Sequence, residues 1–394
     1  MDNKRRSSTG RSKILESSIL IISEFIKTKD LEDFYSYVIN STLPGEVRST
    51  AWRIFMGILN KDDSTKWAKT SKELRDNFYK LSTKHLTENV QKYLKLELNA
   101  EQAKSVLDEK TLIIITNARK ELKFISNNFD FFKTEMISEL VVRLVYLWSS
   151  AHPEFTNYEQ IVTIVAGIVY SLYPSILHCD INSLGIDEEK LENLETQTLF
   201  YYLNTEEHFD ADVYNLFDCL MEKGIKKFIS DHKVYKPISA SEVSELIKID
   251  DNKIVLEKVK SLNRVDRIVH FYLRIVNKDL LVKLIEKKID LYSIIEYLIA
   301  TLFTKNLNEE NIIYYWDCIF VNDTTYLFDK SLEFEDNFLH FTDFIILSYL
   351  VLNQENIDKK DFEKIFVNSL PNFDGKDVVK KAIKLREKVN NAFS

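Results

Sequence analysis

A chain of 394 residues with only seven glycines and five prolines has few places to turn sharply. Glycine supplies the positive-φ corners of tight hairpins, and proline pre-sets φ in many turns, so their scarcity excludes a hairpin-dense β architecture. The apolar residues recur instead at helical spacing. Between Glu135 and Ser150 the set Met136, Leu140, Val141, Leu144, Val145 and Trp148 steps by three and four, which places one stripe on one helix face. The tail repeats the pattern with Val378, Val379, Ala382, Ile383 and Leu385. The β-branched runs Ile161–Tyr173 and Tyr292–Phe303 have the composition of strands. They exceed ordinary strand length, which predicts helices packed on several sides. The fold class is therefore all-α, with roughly fifteen helices. No repeat of fixed period is visible, which excludes a regular solenoid.

Composition narrows the function classes. The chain is 45% hydrophobic and 29% charged, the make-up of a globular protein with ample core. Its net charge of −8 and pI of about 5.6 argue against a nucleic-acid binder with a broad basic face. Cys179, Cys219 and Cys318 match no metal-ligand spacing and point to a reducing compartment. No metal site is expected. The opening "MDNKRRSSTGRSK" lacks the apolar core of a signal peptide, and residues 1–13 read as a disordered basic arm. The longest apolar run, Ile161–Tyr173, is shorter than the ~18 residues that suggest a membrane span. Two polar segments, Cys179–Gln197 and Ser230–Lys253, read as inserted loops with short helices of their own.

Four stretches carry candidate chemistry. In "LPGEVRSTAWRIF" a Pro44–Gly45 turn leads into a helix with Arg48 and Trp52 four apart, on one face. The plain reading is an arginine packed for stability. In "LIIITNARK" an apolar run meets Asn117, Arg119 and Lys120. In "PEFTNYEQIV" the polar residues Asn157, Tyr158 and Gln160 precede a buried helix, as a cap does, or as a rigid base for an outward amide. In "YYWDCIF" Trp316 lies beside Asp317 on what reads as a core face.

In this order the stretches resemble the TBC domain, the helical GTPase-activating domain that acts on Rab GTPases. Its Arg-x-x-x-Trp motif is matched by Arg48 and Trp52, and its Tyr-x-Gln by Tyr158 and Gln160. A late Trp-Asp-x-x-Phe is matched by Trp316, Asp317 and Phe320, preceded by Leu302–Phe303. "KWAKTSKELRDNFY" (Lys66–Tyr79) and "DADVYNLFDCLME" (Asp210–Glu222) are also family-like, and the likeness runs from about Asp30 to about Leu350. The resemblance implies two helical subdomains forming one continuous unit, 14–225 and 226–394.

One motif departs. The family's Ile-x-x-Asp-x-x-Arg fits Ile113, Thr116 and Arg119, which keeps the arginine, or Ile114, Asn117 and Lys120, which keeps a polar amide. Both registers stay open. Ile161 stands where the family usually has a glycine after its glutamine; Glu296–Tyr297 and Lys305–Asn306–Leu307 replace its Arg-Trp and Arg-Glu-Phe.

The resemblance implies stimulation of GTP hydrolysis by a bound Rab-type GTPase. The donated arginine, Arg119 or alternatively Lys120, would stabilise transition-state charge and Gln160 would orient the attacking water. Asn117, Asn157 and Tyr158 would contact the partner. An arginine finger is worth ~10³–10⁵ in rate, roughly 4–7 kcal/mol. A lysine offers only a hydrated point charge. The chain has no GxxxxGK[ST] loop, so no cofactor of its own is expected; GTP and Mg²⁺ would arrive with the partner. The implied role is regulation of vesicle trafficking, in the cytoplasm or peripherally on endomembranes through the partner. The alternative is an impaired TBC scaffold that binds without accelerating hydrolysis.

Overall fold

The computed structural model describes residues 2–178, 185–186, 191–229, 262–305, 309–325, 338–358, 362, 370 and 373–393. Among these residues there is no strand, only an isolated bridge between Leu177 and Thr205. The expected insert 230–253 lies outside the described residues, as does most of 179–197. The chain divides into two compact units, Met1–Tyr37 with Thr42–Glu222, and Val38–Ser41 with Lys223–Ser394.

Helix α1 (Asp2–Thr28) runs through the segment expected to be a disordered arm. Its buried Ser18, Ile22 and Phe25 anchor one face. Once a helix is nucleated, each further residue adds a hydrogen bond at little cost, so the polar start is carried along. After α2 (Leu31–Asn40) comes α3 (Gly45–Phe55). At Gly45 a Cβ would lie 2.6 Å from the Pro174 ring, so only glycine lets this helix start approach that turn.

Helices α4 (Trp67–His85), α5 (Glu88–Leu94) and α6 (Ala100–Val106) lead to α7 (Glu109–Asn128). Caps set their starts. Asn99 and Gln102 form a reciprocal capping box at α6, and the Asp108 carboxylate accepts the Thr111 N–H at 2.9 Å at α7. Then come α8 (Glu135–Ala151), α9 (Tyr158–Leu172), α10 (Thr196–Leu203) and α11 (Phe209–Leu220). In α8 the expected stripe is buried from Leu140 to Trp148, but Met136 is 58% exposed and Ile137 takes its place. The helix begins at Glu135, so at this first turn the packed face has shifted by one residue. The β-branched run of α9 is helical and buried on nearly every side.

Beneath α10 and α11 lies a buried ionic network. Asp212 accepts Arg75 Nε and Nη2 at 2.9 and 2.7 Å, and Arg53 Nη1 stands 3.4 Å from the same carboxylate. Both guanidinia also donate to the Leu203 carbonyl and Arg75 to that of Tyr202, satisfying the end of α10. Burial pulls the Arg53 pKa down to about 10 against the pull of Asp212. Burial would raise the Asp212 carboxyl, but Arg75 and Arg53 outweigh it and hold it below the usual carboxylate range.

In the second unit the helices include α12 (Lys278–Glu286), α13 (Leu291–Thr301), α14 (Glu309–Thr325), α15 (Phe341–Leu352) and α16 (Gly375–Phe393). A helical stretch at 264–276 carries Arg264, which pairs with Asp343 at 2.5 Å in the core. In α16, Val378, Val379, Ala382 and Leu385 are buried as the spacing requires, while Ile383 is half-buried. Among the described residues no helix is long and apolar enough to cross a membrane.

Candidate functional site

Helix α7 decides what its polar residues can do. Its buried residues, Thr111, Ile114, Ile115, Ala118 and Leu122, form one stripe, and α7 packs on both α8 and α9. At 100° per residue Lys120 falls on the pole opposite that stripe, and Arg119 on its flank. Lys120 is exposed accordingly.

Arg119 is half-buried, with its guanidinium 4.6 Å from the centre of the Tyr93 ring. Its Nη2 donates to the carbonyls of Tyr93 and, at 3.2 Å, Leu94. It thus adds a donor to the carbonyls at the end of α5, that of Tyr93 also accepting the Leu96 N–H at 3.1 Å, where a cation meets the negative end of the helix dipole. Burial lowers its pKa. Asn117 is half-buried on another flank and lines a surface hollow of about 510 Å³ with Lys104, Leu112 and Thr116. Arg119 lines a different hollow of about 210 Å³, with Leu94, Leu96 and Glu139. Gln160 lines neither of these two.

Gln160 sits in the first turn of α9, and among the described residues its buried Oε1 has no hydrogen-bond partner. An amide oxygen so placed is costly unless something donates to it, on the order of 1–3 kcal/mol. Ile161, beside it, is helical and fully buried, and its φ is not positive. The glycine that Ile161 replaces is therefore not required here by backbone conformation. Asn157 occupies the cap position of α9, yet its side chain makes no capping bond, only its carbonyl accepting the Ile161 N–H at 3.3 Å. Tyr158 is half-buried, and burial raises its pKa.

Two motif pairs are architecture. Arg48 is buried and donates to the carbonyls of Leu43, at 2.7 Å, and Ser171, at 3.2 Å, tying α3 to the end of α9; Trp52 is fully buried beside it in α3. Trp316 Nε1 donates at 2.8 Å to the Leu302 carbonyl, where the chain leaves α13 through positive φ at Leu302 and Phe303. Asp317 is fully buried in α14. The motif's Leu-Phe and its Trp are thus joined by one hydrogen bond.

Sequence reasoning passed over Arg53, Arg75 and Asp212. The signal was present, since Arg75 lies in the family-like "ELR" and Asp212 in "DADVY". Only the fold shows that the two segments meet.

The crystal structure of the Ypt/Rab-GAP domain of Gyp1p matches over 95% of this chain and 98% of that one, with a TM-score of 0.59 and 11% sequence identity. The fold is that of a Ypt/Rab-GAP (TBC) domain. This agrees with the TBC resemblance and the all-α fold class read from the sequence. No protein-family model and no curated protein matches the sequence itself.

Proposed function

We propose that this chain binds a Rab-type small GTPase and stimulates its GTP hydrolysis, with Gln160 orienting the attacking water and Arg119 stabilising the transition-state charge. The observation that carries this reading is the Ypt/Rab-GAP fold, together with a Gln160 amide oxygen on the first turn of α9 that has no donor among the described residues. Such an oxygen can accept a hydrogen bond from a water held by a partner once a side-chain rotation turns it outward, while the amide NH₂ donates in turn. Arg119 is the better finger on geometry, because Lys120 points away from the stripe by which α7 packs on α9. Arg119 would have to leave the end of α5. Its two hydrogen bonds there cost about 1.5–3 kcal/mol each to release and its ring contact about 0.5–1, together about 3.5–7 kcal/mol. The roughly 4–7 kcal/mol of a finger is of the same size, so contacts to the partner must help to draw Arg119 out.

A second reading is supported by the same bonds. If Arg119 stays at α5, the chain binds a Rab without accelerating hydrolysis. A panel of GTP-loaded Rabs tests both, read by single-turnover phosphate release and by retention of each GDP–aluminium fluoride complex on the protein. Acceleration with retention supports the first reading, and binding to the GTP form without either supports the second. Absence of binding across the panel refutes both. GTP and Mg²⁺ belong to the partner in either case, and the proposed setting is vesicle trafficking, with peripheral attachment to endomembranes through the Rab.

A further inference from the structure

We propose that His152, Asp218 and Glu222 form a binding site for one divalent transition-metal ion of the zinc type. Among the described residues they are the one group of this kind whose potential ligand atoms converge, all within 4.8 Å of one another. Asp218, in the last turn of α11, and Glu222, in the π-helical turn Met221–Ile225 that continues it, are four residues apart, about one turn along the same side. His152 closes the group from the C-cap of α8.

The imidazole is prepared as a ligand. Its Nδ1 lies 3.1 Å from the Trp148 carbonyl oxygen, which can only accept, so Nδ1 carries the proton. In the neutral ring the lone pair is then on Nε2, which faces Glu222 Oε1 at 3.8 Å. A metal cation at this position would bind both atoms, in place of a proton on Nε2. A backbone carbonyl on the other ring nitrogen is also the usual device that orients a metal-binding histidine.

The surroundings hold this geometry. The His152 ring stacks on the Trp148 indole at 4.3 Å and 21°, and Trp148 is fully buried against Phe155 and Phe217. The same indole donates its N–H to Asp218 Oδ1 at 3.0 Å, so one side chain positions two of the three ligands. Tetrahedral coordination at about 2.0–2.2 Å sets ligand atoms roughly 3.3–3.6 Å apart, which small side-chain rotations reach from the observed separations. Glu222 is half exposed, leaving the solvent side for water ligands. One imidazole nitrogen with two carboxylates favours zinc-like ions over Mg²⁺ or Ca²⁺, which prefer all-oxygen sites. The ion would clip the end of α8 to the end of α11 and fix the start of the segment leading from His152 to α9.

A proton on Nε2 could bridge the same pair as a simple salt bridge, and experiment separates the two. Untagged full-length chain, stripped with chelator and desalted, is titrated with ZnCl₂ by calorimetry. One Zn²⁺ per chain is expected, with affinity lowered at least about tenfold in both His152→Gln and Glu222→Gln. The metal-free melting temperatures of both variants should stay near that of the wild type. Cu²⁺ bound to the wild type should show coupling to a single imidazole nitrogen by electron paramagnetic resonance, a readout that needs no variant. No zinc binding, affinity unchanged in both variants, or copper bound without one imidazole would overturn the proposal.

Discussion

Replacing Asp212 by Asn tests the electrostatics that hold the first unit together. Asparagine keeps the volume and one acceptor oxygen, but it leaves Arg53 and Arg75 buried without their counter-charge. Removing one partner of a buried ion pair costs about 3–5 kcal/mol. Here the carbonyls of Ser49, Tyr202 and Leu203 still accept from the guanidinia, which points to the lower part of that range. For a unit of this size each kcal/mol moves the melting temperature by about 2–4 °C, so a fall of roughly 6–12 °C is expected at neutral pH by calorimetry. The sign of the pH dependence follows from the depressed carboxyl pKa. A carboxyl lowered on folding stabilises above its unfolded value of about 3.9, and that contribution is lost as pH falls through the folded value. The gap between wild type and Asp212→Asn should therefore be flat at neutral pH and narrow in acid. A loss under about 1 kcal/mol at neutral pH would refute the reasoning, because it would mean the arginines need no charge partner.

Arg119→Ala should lower stimulated hydrolysis by about 10³-fold or more, whereas Lys120→Ala should leave the single-turnover rate within a few-fold. The reverse order would restore the other motif register. Trp52→Ala and Trp316→Ala should each cost about 3–5 kcal/mol in chemical denaturation, because each empties a fully buried site. Normal unfolding combined with lost GTPase stimulation would move these tryptophans from the core to the contact surface.

The sequence disclosed most where a period or a local rule governs. The long β-branched runs became α9 and α13 because their length outweighs strand propensity when neighbours can bury every side. Arg48 and Trp52 were readable as structural, although the partners of Arg48 at Leu43 and Ser171 were not. What stayed hidden depends on contacts distant in sequence. Asn117, Arg119 and Lys120 are consecutive or nearly so, and only the buried stripe of α7 sends them to different faces. That Arg119 serves the end of α5 needs the position of a helix some 26 residues away. Asp212 lay unremarked in the family-like Asp210–Glu222 stretch, and its partners Arg53 and Arg75 come from α3 and α4. The helical start of α1 was missed for a different reason, since local polarity says nothing of a buried anchor farther along the same helix.

Single-turnover phosphate release from a responsive GTP-loaded Rab, with wild-type chain and with Gln160→Ala, reaches the functional reading most directly. The variant should melt no lower than wild type, since it removes an amide whose buried oxygen has no partner among the described residues, yet its stimulation should fall by about 10²-fold or more. An unchanged rate for Gln160→Ala would contradict the assignment, leaving a Rab-GAP fold whose α9 amide takes no part in hydrolysis.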